Sequence, residues 1–276
     1  MSAGSKRANR VKMRKQDERH TGVSRRAKRN AKNPKFDTQA ESYEVAQELG
    51  NRKKFHERDL LDVKPLNQNQ EDFLHLYYQG CPLIIADGPA GTAKTFLSMY
   101  CALSDVFRDD TPYQKVIVAR SAVPSRDQGF LPGTEEEKNE PYEAPYKQVC
   151  KELLPKYKEG YQHLKSLGYL EFVSTSYLRG ITCHDSIIIV DEFSSCTYHE
   201  LATIVTRVGS NSRIIFAGDF KQSDLNKGRE ESGYKKFLTV VNGMPDEMFG
   251  HVTYGLDDIV RSGLVQHFLI SDFKNG

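Results

Sequence analysis

The stretch Leu83–Thr95 reads LIIADGPAGTAKT, an apolar run followed by a loop of small residues and then Lys-Thr. It follows the phosphate-binding pattern G-x-x-x-x-G-K-[ST], except that Ala93 stands in place of the last glycine. Backbone N–H groups of such a loop, together with the N-terminus of the next helix, attract phosphate. An alanine at this position is tolerated if its φ is negative and crowded if its φ is positive. The stretch therefore predicts a strand, a phosphate-binding loop and a helix.

The side chains around this loop have predicted roles toward ATP and Mg²⁺. Lys94 is predicted to reach the β- and γ-phosphates, and the Thr95 hydroxyl is predicted to bind Mg²⁺. Gln70 lies one helix ahead, and its amide can both donate and accept hydrogen bonds, so it is a candidate for reading adenine. The predicted nucleotide-binding residues are Gln70, Gly88, Pro89, Ala90, Gly91, Thr92, Ala93, Lys94, Thr95 and Phe96.

Apolar runs recur along the chain from residue 83 onward, and helical stretches separate most of them. The runs are continuous rather than alternating, which is typical of strands buried on both faces of a parallel sheet. Ligands of such α/β proteins bind beyond the carboxyl ends of the strands. Strands are predicted at Leu83–Ala86, Lys115–Arg120, Leu170–Thr175, Ser186–Val190 and Arg213–Ala217, with an edge strand at His251–Leu256. Helices are predicted at Gln70–Gln79 (capped by Asn69), Thr95–Phe107, Tyr146–Leu154, Tyr161–Leu167, Tyr234–Val241 and Asp257–Phe273.

Two acidic residues follow the fourth predicted strand, in the sequence IIIVDE. Asp191 is predicted to hold Mg²⁺ directly or through water, and Glu192 to polarise the attacking water. Gln222 follows Gly218-Asp219 at the end of the fifth strand, where an amide could orient water or sense the γ-phosphate. The alternative for this last segment is a turn followed by a capped helix.

Charge divides the chain into a basic arm and an acidic body. Residues 1–40 carry 13 Lys and Arg against 3 Asp and Glu, whereas residues 41–276 carry 26 against 34. Residues 1–37 lack apolar periodicity and are predicted to be a disordered arm, which either binds nucleic acid or only adds solubility. Residues 38–64 are predicted to be a helical lead-in. Residues 65–276 are predicted to be a P-loop ATPase domain with an insertion at about 121–169.

The five cysteines and the hydropathy of the chain indicate its compartment. The cysteines are odd in number and lack C-x-x-C spacing, which is not typical of a disulfide framework and fits a reducing cytosol. The sequence shows neither an apolar run long enough for a membrane span nor a signal-peptide core. We therefore predict a soluble cytoplasmic protein without a membrane partner.

Together these motifs resemble the PhoH family of P-loop ATPases, which is related to the ATPase core of superfamily 1 helicases. The resemblance runs from about Pro65 to Phe268 and implies an α/β fold. It departs from the family pattern at Ala93 and at Phe193-Ser194-Ser195, where the family is closer to Ala-Gln-Asn. The implied fold is a three-layer recombinase-like P-loop NTPase core with a mostly parallel sheet, preceded here by the basic arm. The residues that carry the resemblance are Asn69-Gln70, Gly88–Thr95, Gly129–Gly133 (GFLPG), Tyr177–Gly180 (YLRG), Ile188–Glu192, Gly218–Leu225 and Asp258–Arg261 (DIVR).

The resemblance also implies how hydrolysis is completed. Superfamily 1 helicases use two lobes, the second of which supplies an arginine to the γ-phosphate, and this chain has room for one lobe. An arginine from a neighbouring subunit is therefore expected, with Arg207 and Arg261 as candidates. We accordingly predict a homo-oligomer, such as a hexameric ring.

Two functions remain open from the sequence. The helicase-like order of motifs favours an ATPase that binds or unwinds RNA or single-stranded DNA, with Arg120, Tyr177 and Arg179 as strand contacts. The acidic body favours a nucleotide-binding switch or regulatory ATPase that acts on a protein partner without unwinding. Phosphate transfer to another acceptor fits less well, because Glu192 and Gln222 suit water as the acceptor.

Overall fold

The computed structural model describes residues 54–121, 135–219 and 233–275. Its centre is a six-stranded sheet with helices on both faces, which is a three-layer α/β fold. The strands are β1 Leu83–Asp87, β2 Lys115–Arg120, β3 Leu170–Ser174, β4 Ser186–Asp191, β5 Arg213–Gly218 and β6 Phe249–Thr253. The helices are α1 Gln68–Tyr78, α2 Lys94–Val106, α3 Glu135–Leu153, α4 Gly160–Ser166, α5 Thr175–Leu178, α6 Tyr198–Val205, α7 Tyr234–Val241 and α8 Gly263–Asn275. Short 3₁₀ turns lie at Glu57–Asp59, Phe193–Ser195, Asp246–Met248 and Leu256–Asp258.

The strand order brings the phosphate-binding loop next to the acidic pair. The order is β3-β2-β4-β5-β1-β6, and every neighbouring pair is parallel. β5 therefore lies between β1, which leads into the loop, and β4, which ends at Asp191. In the register of the sheet, Asp87 is opposite Gly218, and Asp191 is opposite Ala217. The carboxyl ends of all three strands meet at one edge, as the continuous apolar runs predict.

The two faces of the sheet bury two separate sets of side chains. Along β4, Ile187 and Ile189 enter one core, whereas Ile188 and Val190 enter the other. Helices α1 to α4 cover the first core, and α5 to α7 cover the second. A strand buried on both faces must be apolar at every position, which explains why these strands could be located from the sequence.

Most predicted elements are present, with shifts at their ends. Strands β1 to β5 match the predicted ones to within one residue at either end, and β6 spans Phe249–Thr253 rather than His251–Leu256. The predicted cap of the first helix is wrong. Asn67, not Asn69, accepts a hydrogen bond from the backbone N–H of Gln70, so the helix begins at Gln68. Helix α3 is longer than the predicted Tyr146–Leu154 and continues through Pro141 and Pro145.

The packed core also includes residues ahead of the predicted domain. Phe55 is fully buried and stacks on Phe107, with 5.1 Å between ring centroids. The basic arm, the GFLPG segment and Gln222 lie outside the described residues. Among the helices that the structure describes, none has both the length and the apolar character needed to cross a bilayer.

Candidate nucleotide site

A cavity of about 590 Å³ opens at the carboxyl edge of the sheet. This volume falls in the range of about 300–1,000 Å³ that is usual for small-molecule sites. The phosphate-binding loop forms one wall, the acidic end of β4 the floor, and the insertion helix α3 the opposite wall. The cavity therefore collects most of the residues that the sequence predicts to act on a nucleotide.

Two glycines allow the loop to approach its neighbours closely. Gly88 has φ +146°, and a Cβ there would lie 2.5 Å from the carbonyl oxygen of Tyr254. Gly91 has φ +85°, and a Cβ there would lie 2.9 Å from Cγ of Arg261. Side chains at either position would push the loop away from the segment that follows β6.

Ala93 stands where the pattern has its last glycine, and its φ is +67° with ψ +20°. This is the left-handed conformation, in which the Cβ of Ala93 is crowded. An L-residue in this region costs about 1–2 kcal/mol. The loop therefore keeps the backbone shape that glycine favours, at some expense of stability.

Replacing Ala93 with glycine is expected to stabilise the fold by about 0.5–1 kcal/mol. Glycine relieves the strain of the left-handed conformation but adds about 0.4–1 kcal/mol of entropy to the unfolded chain. Chemical denaturation of the two proteins measures the difference. Ala90→Gly is the matched control, because Ala90 is in the same loop and is not among the residues of positive φ. Ala90→Gly should lose stability. If Ala93→Gly loses stability as well, the backbone at Ala93 is not strained.

Lys94 occupies the inside of the loop. Its ammonium donates to the carbonyl oxygens of Gly88 at 2.7 Å and Pro89 at 2.8 Å, and to the Thr92 hydroxyl at 3.1 Å. Burial lowers the pKa of Lys94, and the nearby carboxylates of Asp219 and Glu192 oppose that shift. All three of these acceptors are neutral groups, and a bound phosphate would add an anion to them.

The carboxylate of Asp191 is held on both of its oxygens. The Thr95 hydroxyl donates to Oδ1 at 2.8 Å, and the Tyr146 hydroxyl donates to Oδ2 at 2.7 Å. Burial beside this carboxylate raises the pKa of Tyr146 well above its usual value, which keeps the phenol protonated as a donor.

The oxygens of Thr95 and Asp191 fit Mg²⁺. Within the described residues, no cluster of three His, Cys, Asp or Glu side chains could hold a metal on its own. Mg²⁺ commonly takes only one or two protein oxygens and fills its octahedron with water and substrate phosphates. The hydroxyl–carboxylate pair at the phosphate loop is suited to a metal ion that arrives with a nucleotide.

Glu192 lies at the edge of the cavity in an unusual conformation. Its φ is +54° and its ψ +39°, which is left-handed for a residue other than glycine. Burial, and then the charge of Asp191, raise the pKa of Glu192, while Arg120 and Lys94 oppose the shift. Strained residues of this kind concentrate at functional sites, and a carboxylate with a raised pKa is a better proton acceptor.

Gln70 is buried in the wall of the cavity, with both ends of its amide bonded. Its Oε1 accepts from the backbone N–H of Leu66 at 2.8 Å, and its Nε2 donates to the carbonyl of Thr92 at 3.3 Å. The amide therefore ties the start of α1 to the phosphate loop. The amide still has a second N–H and a second lone pair on Oε1 with which to contact a base.

The segment after β6 closes over the loop. The backbone N–H of Tyr254 donates to the Asp87 carbonyl at 2.7 Å, and that of Val260 donates to the Gly91 carbonyl at 3.0 Å. Asp258 accepts from the side chain of Asn69 at 2.6 Å and from the backbone of Gly255 at 2.7 Å. These bonds place Arg261 in the lining of the cavity of its own chain.

The remaining predicted residues are in different places. Arg120, a predicted nucleic-acid contact, lines the cavity near Glu192. Arg179 is ion-paired with Glu200, which also caps α6, and Tyr177 is 52% exposed. Arg207 lies between α6 and β5, at the amino edge of the sheet and away from the cavity.

Sequence reasoning missed the residues that α3 supplies. Tyr146 reaches Asp191, and Pro145, Gln148 and Val149 line the cavity. Tyr146, Cys150 and Leu153 are fully buried at helical spacing, so this face of the helix could have been predicted from its periodicity. The partner of the Tyr146 hydroxyl could not, because periodicity says nothing about which polar group a buried phenol meets.

Known proteins resemble this chain over the same region. Among curated relatives, a PhoH-like protein of Mycobacterium leprae (strain TN) is 31% identical over 213 residues, which are 75% of this chain and 57% of the relative. Protein PhoH of Escherichia coli (strain K12) is 34% identical over 215 residues, which are 77% of this chain and 59% of the relative. The matches span little more than half of these relatives.

Two solved structures share a weaker likeness. The Sulfolobus solfataricus SWI2/SNF2 ATPase core in complex with dsDNA aligns with a TM-score of 0.36 at 12% identity, over 71% of this chain and 47% of that one. The Pif1 helicase from Candida albicans aligns with a TM-score of 0.32 at 15% identity, over 70% of this chain and 40% of that one. Likenesses at this level carry no conclusion about what this chain binds.

The family match covers the whole of the site. The description "PhoH-like protein" matches residues 62–271, which include α1, the phosphate-binding loop, the acidic end of β4 and Arg261. All of the residues that line the cavity therefore lie within the matched region. On this match the chain belongs to the PhoH-like family of proteins.

Proposed function

We propose that this chain binds ATP with Mg²⁺ in the cavity and hydrolyses it, and that RNA or single-stranded DNA stimulates the hydrolysis. The observation that carries the proposal is the convergence of three groups on one cavity. These are the buried ammonium of Lys94, the Thr95–Asp191 oxygen pair, and the carboxylate of Glu192. They are the groups that phosphoryl transfer to water requires.

Each group has a defined part in this proposal. The phosphates lie against the loop and the N-terminus of α2, where Lys94 exchanges its carbonyl partners for phosphate oxygens. Thr95 and Asp191 would hold Mg²⁺, and its charge would offset the negative charge that develops on the phosphates. Glu192 accepts a proton from the attacking water. Arg120 lies close enough to Glu192 to affect its pKa, and it is placed to contact the γ-phosphate.

The proposed nucleic-acid contact is at the same edge of the sheet. Tyr177 lies in α5, three residues after the end of β3, and its half-exposed ring could stack on a base. Arg179 contributes less to contact with nucleic acid, because its guanidinium is ion-paired with Glu200. Because Arg120 lies close to Glu192, we assign it to the nucleotide rather than to the nucleic-acid strand.

ATP hydrolysis by the purified chain, with and without single-stranded RNA and DNA, tests the proposal. We expect turnover that rises several-fold with polynucleotide and is lost in Lys94→Ala. If polynucleotide leaves turnover unchanged, the proposal that nucleic acid stimulates hydrolysis is wrong. Absence of turnover under all conditions would remove hydrolysis itself.

A second function, a nucleotide-dependent switch that binds a protein, is favoured by the surface of α8. Leu264 and Phe268 on this helix are 83% and 67% exposed. The helix begins two residues after Arg261, and its Leu269 approaches Gly91 of the phosphate-binding loop. An apolar surface so close to the nucleotide could report the state of the site to a partner. Polynucleotide-independent turnover would favour this function.

A homo-oligomer, such as a ring, remains part of the proposal, and the two arginine candidates lead to different expectations. Arg261→Ala is expected to lower turnover by about 10²–10³-fold, as for loss of one preorganised cation at the γ-phosphate. Arg207→Ala is expected to lower it only if a neighbouring subunit brings Arg207 to the cavity. Steady-state ATPase rates of both variants measure this, and normal rates in both would remove Arg207 and Arg261 from the mechanism.

Mixing subunits separates an arginine of the same chain from one of a neighbour. Because Arg261 lines the cavity of its own chain, mixing Arg261→Ala with Lys94→Ala subunits should restore no activity. Partial recovery in the mixture would show that Arg261 acts across an interface. Sedimentation of the wild type with and without nucleotide gives the subunit number directly.

A further inference from the structure

Tyr146 links the insertion to the acidic end of β4. It lies on α3, between β2 and β3 in the chain, yet its hydroxyl donates to Oδ2 of Asp191 at 2.7 Å. The other oxygen of this carboxylate faces the Thr95 hydroxyl at 2.8 Å. The two donors come from different elements and bind different oxygens, so together they fix the rotation of the carboxylate.

The packing around Tyr146 fixes where its hydroxyl lies. The ring is fully buried and lies against Phe172 of β3, with 5.6 Å between ring centroids. Cys150 and Leu153, on the same face of α3, are also fully buried. A phenol in such surroundings has little freedom to leave its partner, and its only polar contact in the described chain is Asp191.

We propose that Tyr146 is a positioning residue for the metal site, which rests on the proposed function of the cavity. By holding Oδ2, it leaves Oδ1 of Asp191 turned toward Thr95, the other side chain that would hold Mg²⁺. Hydrogen bonds to the outer side of metal ligands commonly change metal affinity by about 10–100-fold. Tyr146 therefore contributes to Mg²⁺ binding without touching the ion or the nucleotide.

The same helix also faces the nucleotide. Pro145, Gln148 and Val149 line the cavity on either side of Tyr146 in the sequence. A movement of α3 that changes the space for the nucleotide would also move the donor to Asp191. Helix α3 is thus placed to couple the occupancy of the cavity to the geometry of the metal site.

The test compares Y146F with Y77F. Tyr77 is also buried and donates to an aspartate, Asp105, at 2.8 Å. Asp105 lies near the far end of α2, about 15 Å from Thr95 at the rise of a helix. Both variants keep their ring and lose one buried phenol–carboxylate bond. Y77F also loses a 3.1 Å contact of the hydroxyl with the carbonyl of Cys101, so its thermal stability should fall at least as far as that of Y146F. Only Y146F should weaken metal binding.

The readouts are metal and nucleotide binding rather than turnover. ADP affinity is measured by calorimetry in EDTA and across a Mg²⁺ titration, and binding of Mn²⁺ to the ADP complex is followed by electron paramagnetic resonance. We expect about a tenfold rise in the Mg²⁺ and Mn²⁺ concentrations for half-saturation in Y146F. The affinity of Y146F for ADP in EDTA should equal that of the wild type. Y77F should match the wild type in every binding measurement.

Each outcome bears on one proposal. If Y146F shifts metal binding no more than Y77F, the positioning role is wrong while the proposed function stands. If the wild type shows no metal-dependent ADP binding, the proposed function fails and this inference fails with it. If Y146F does not fold, the same binding measurements are made on F172L, which loosens the packing of the Tyr146 ring and keeps its hydroxyl. A smaller shift of the same sign is then expected, and no shift would overturn the role.

Discussion

Replacing Lys94 with alanine is expected to lower ATP turnover by about 10²–10³-fold. The ammonium is a preorganised donor in a buried loop, and the loss of one such donor at developing charge usually has an effect of this size. ATPase rates at saturating ATP measure the effect. Lys64→Ala is the matched control, because Lys64 lines the same cavity but is exposed to solvent. The control should keep turnover within about twofold, as expected for a screened charge.

The stability of Lys94→Ala gives an independent check. Burial lowers the pKa of Lys94, so the folded chain without nucleotide holds this charge at a cost. Its removal relieves this cost but also removes the three hydrogen bonds to the loop, so the midpoint of thermal unfolding should change little. A variant that is both inactive and clearly less stable would mean that lost folding, rather than lost phosphate binding, explains the inactivity.

Replacing Glu192 with glutamine is expected to lower turnover by about 10²–10⁴-fold while ATP still binds. The amide has the shape of the carboxylate but cannot accept the proton of the attacking water, and general base catalysis contributes about this factor. Single-turnover hydrolysis and ATP affinity are the two measurements. Affinity should change little, because Lys94, Thr95 and Asp191 are untouched.

Glu152→Gln is the control for Glu192→Gln. Glu152 lines the same cavity, is exposed, and accepts a hydrogen bond from Gln148 at 2.7 Å. Losing this carboxylate should leave turnover nearly unchanged. Equal effects of the two substitutions would mean that the cavity responds to its overall charge and that Glu192 has no special part in the chemistry.

The parts of the fold that could be predicted are those that depend on burial alone. β4 reads SIIIVD and is buried at every position, so its bounds were visible in the chain to within one residue. The loop between β1 and α2 was equally visible from its small residues, and its binding of phosphate stays a prediction. The family implied by these motifs is confirmed.

The parts that could not be predicted depend on pairs of residues far apart in the sequence. Asn69 was expected to cap a helix, but its side chain meets Asp258, which no local rule could indicate. The conformation of Ala93 was left open because its φ is set by the surrounding loop. Tyr146 was within a predicted helix, yet its contact with Asp191 depends on how the insertion packs across β2 and β3. The roles of the site residues stay predictions.

The bonds from Tyr254 and Val260 to the phosphate-binding loop have a consequence for biosynthesis. The loop is made early, but the residues that brace Asp87 and Gly91 follow more than 160 positions later in the sequence. β5 and β6, which flank β1 on its two sides, are also made later than the loop. A ribosome must therefore translate and release the segment through Val260 before the nascent chain can form this cavity. Arrested nascent chains that end before that segment are accordingly expected to be unable to retain nucleotide.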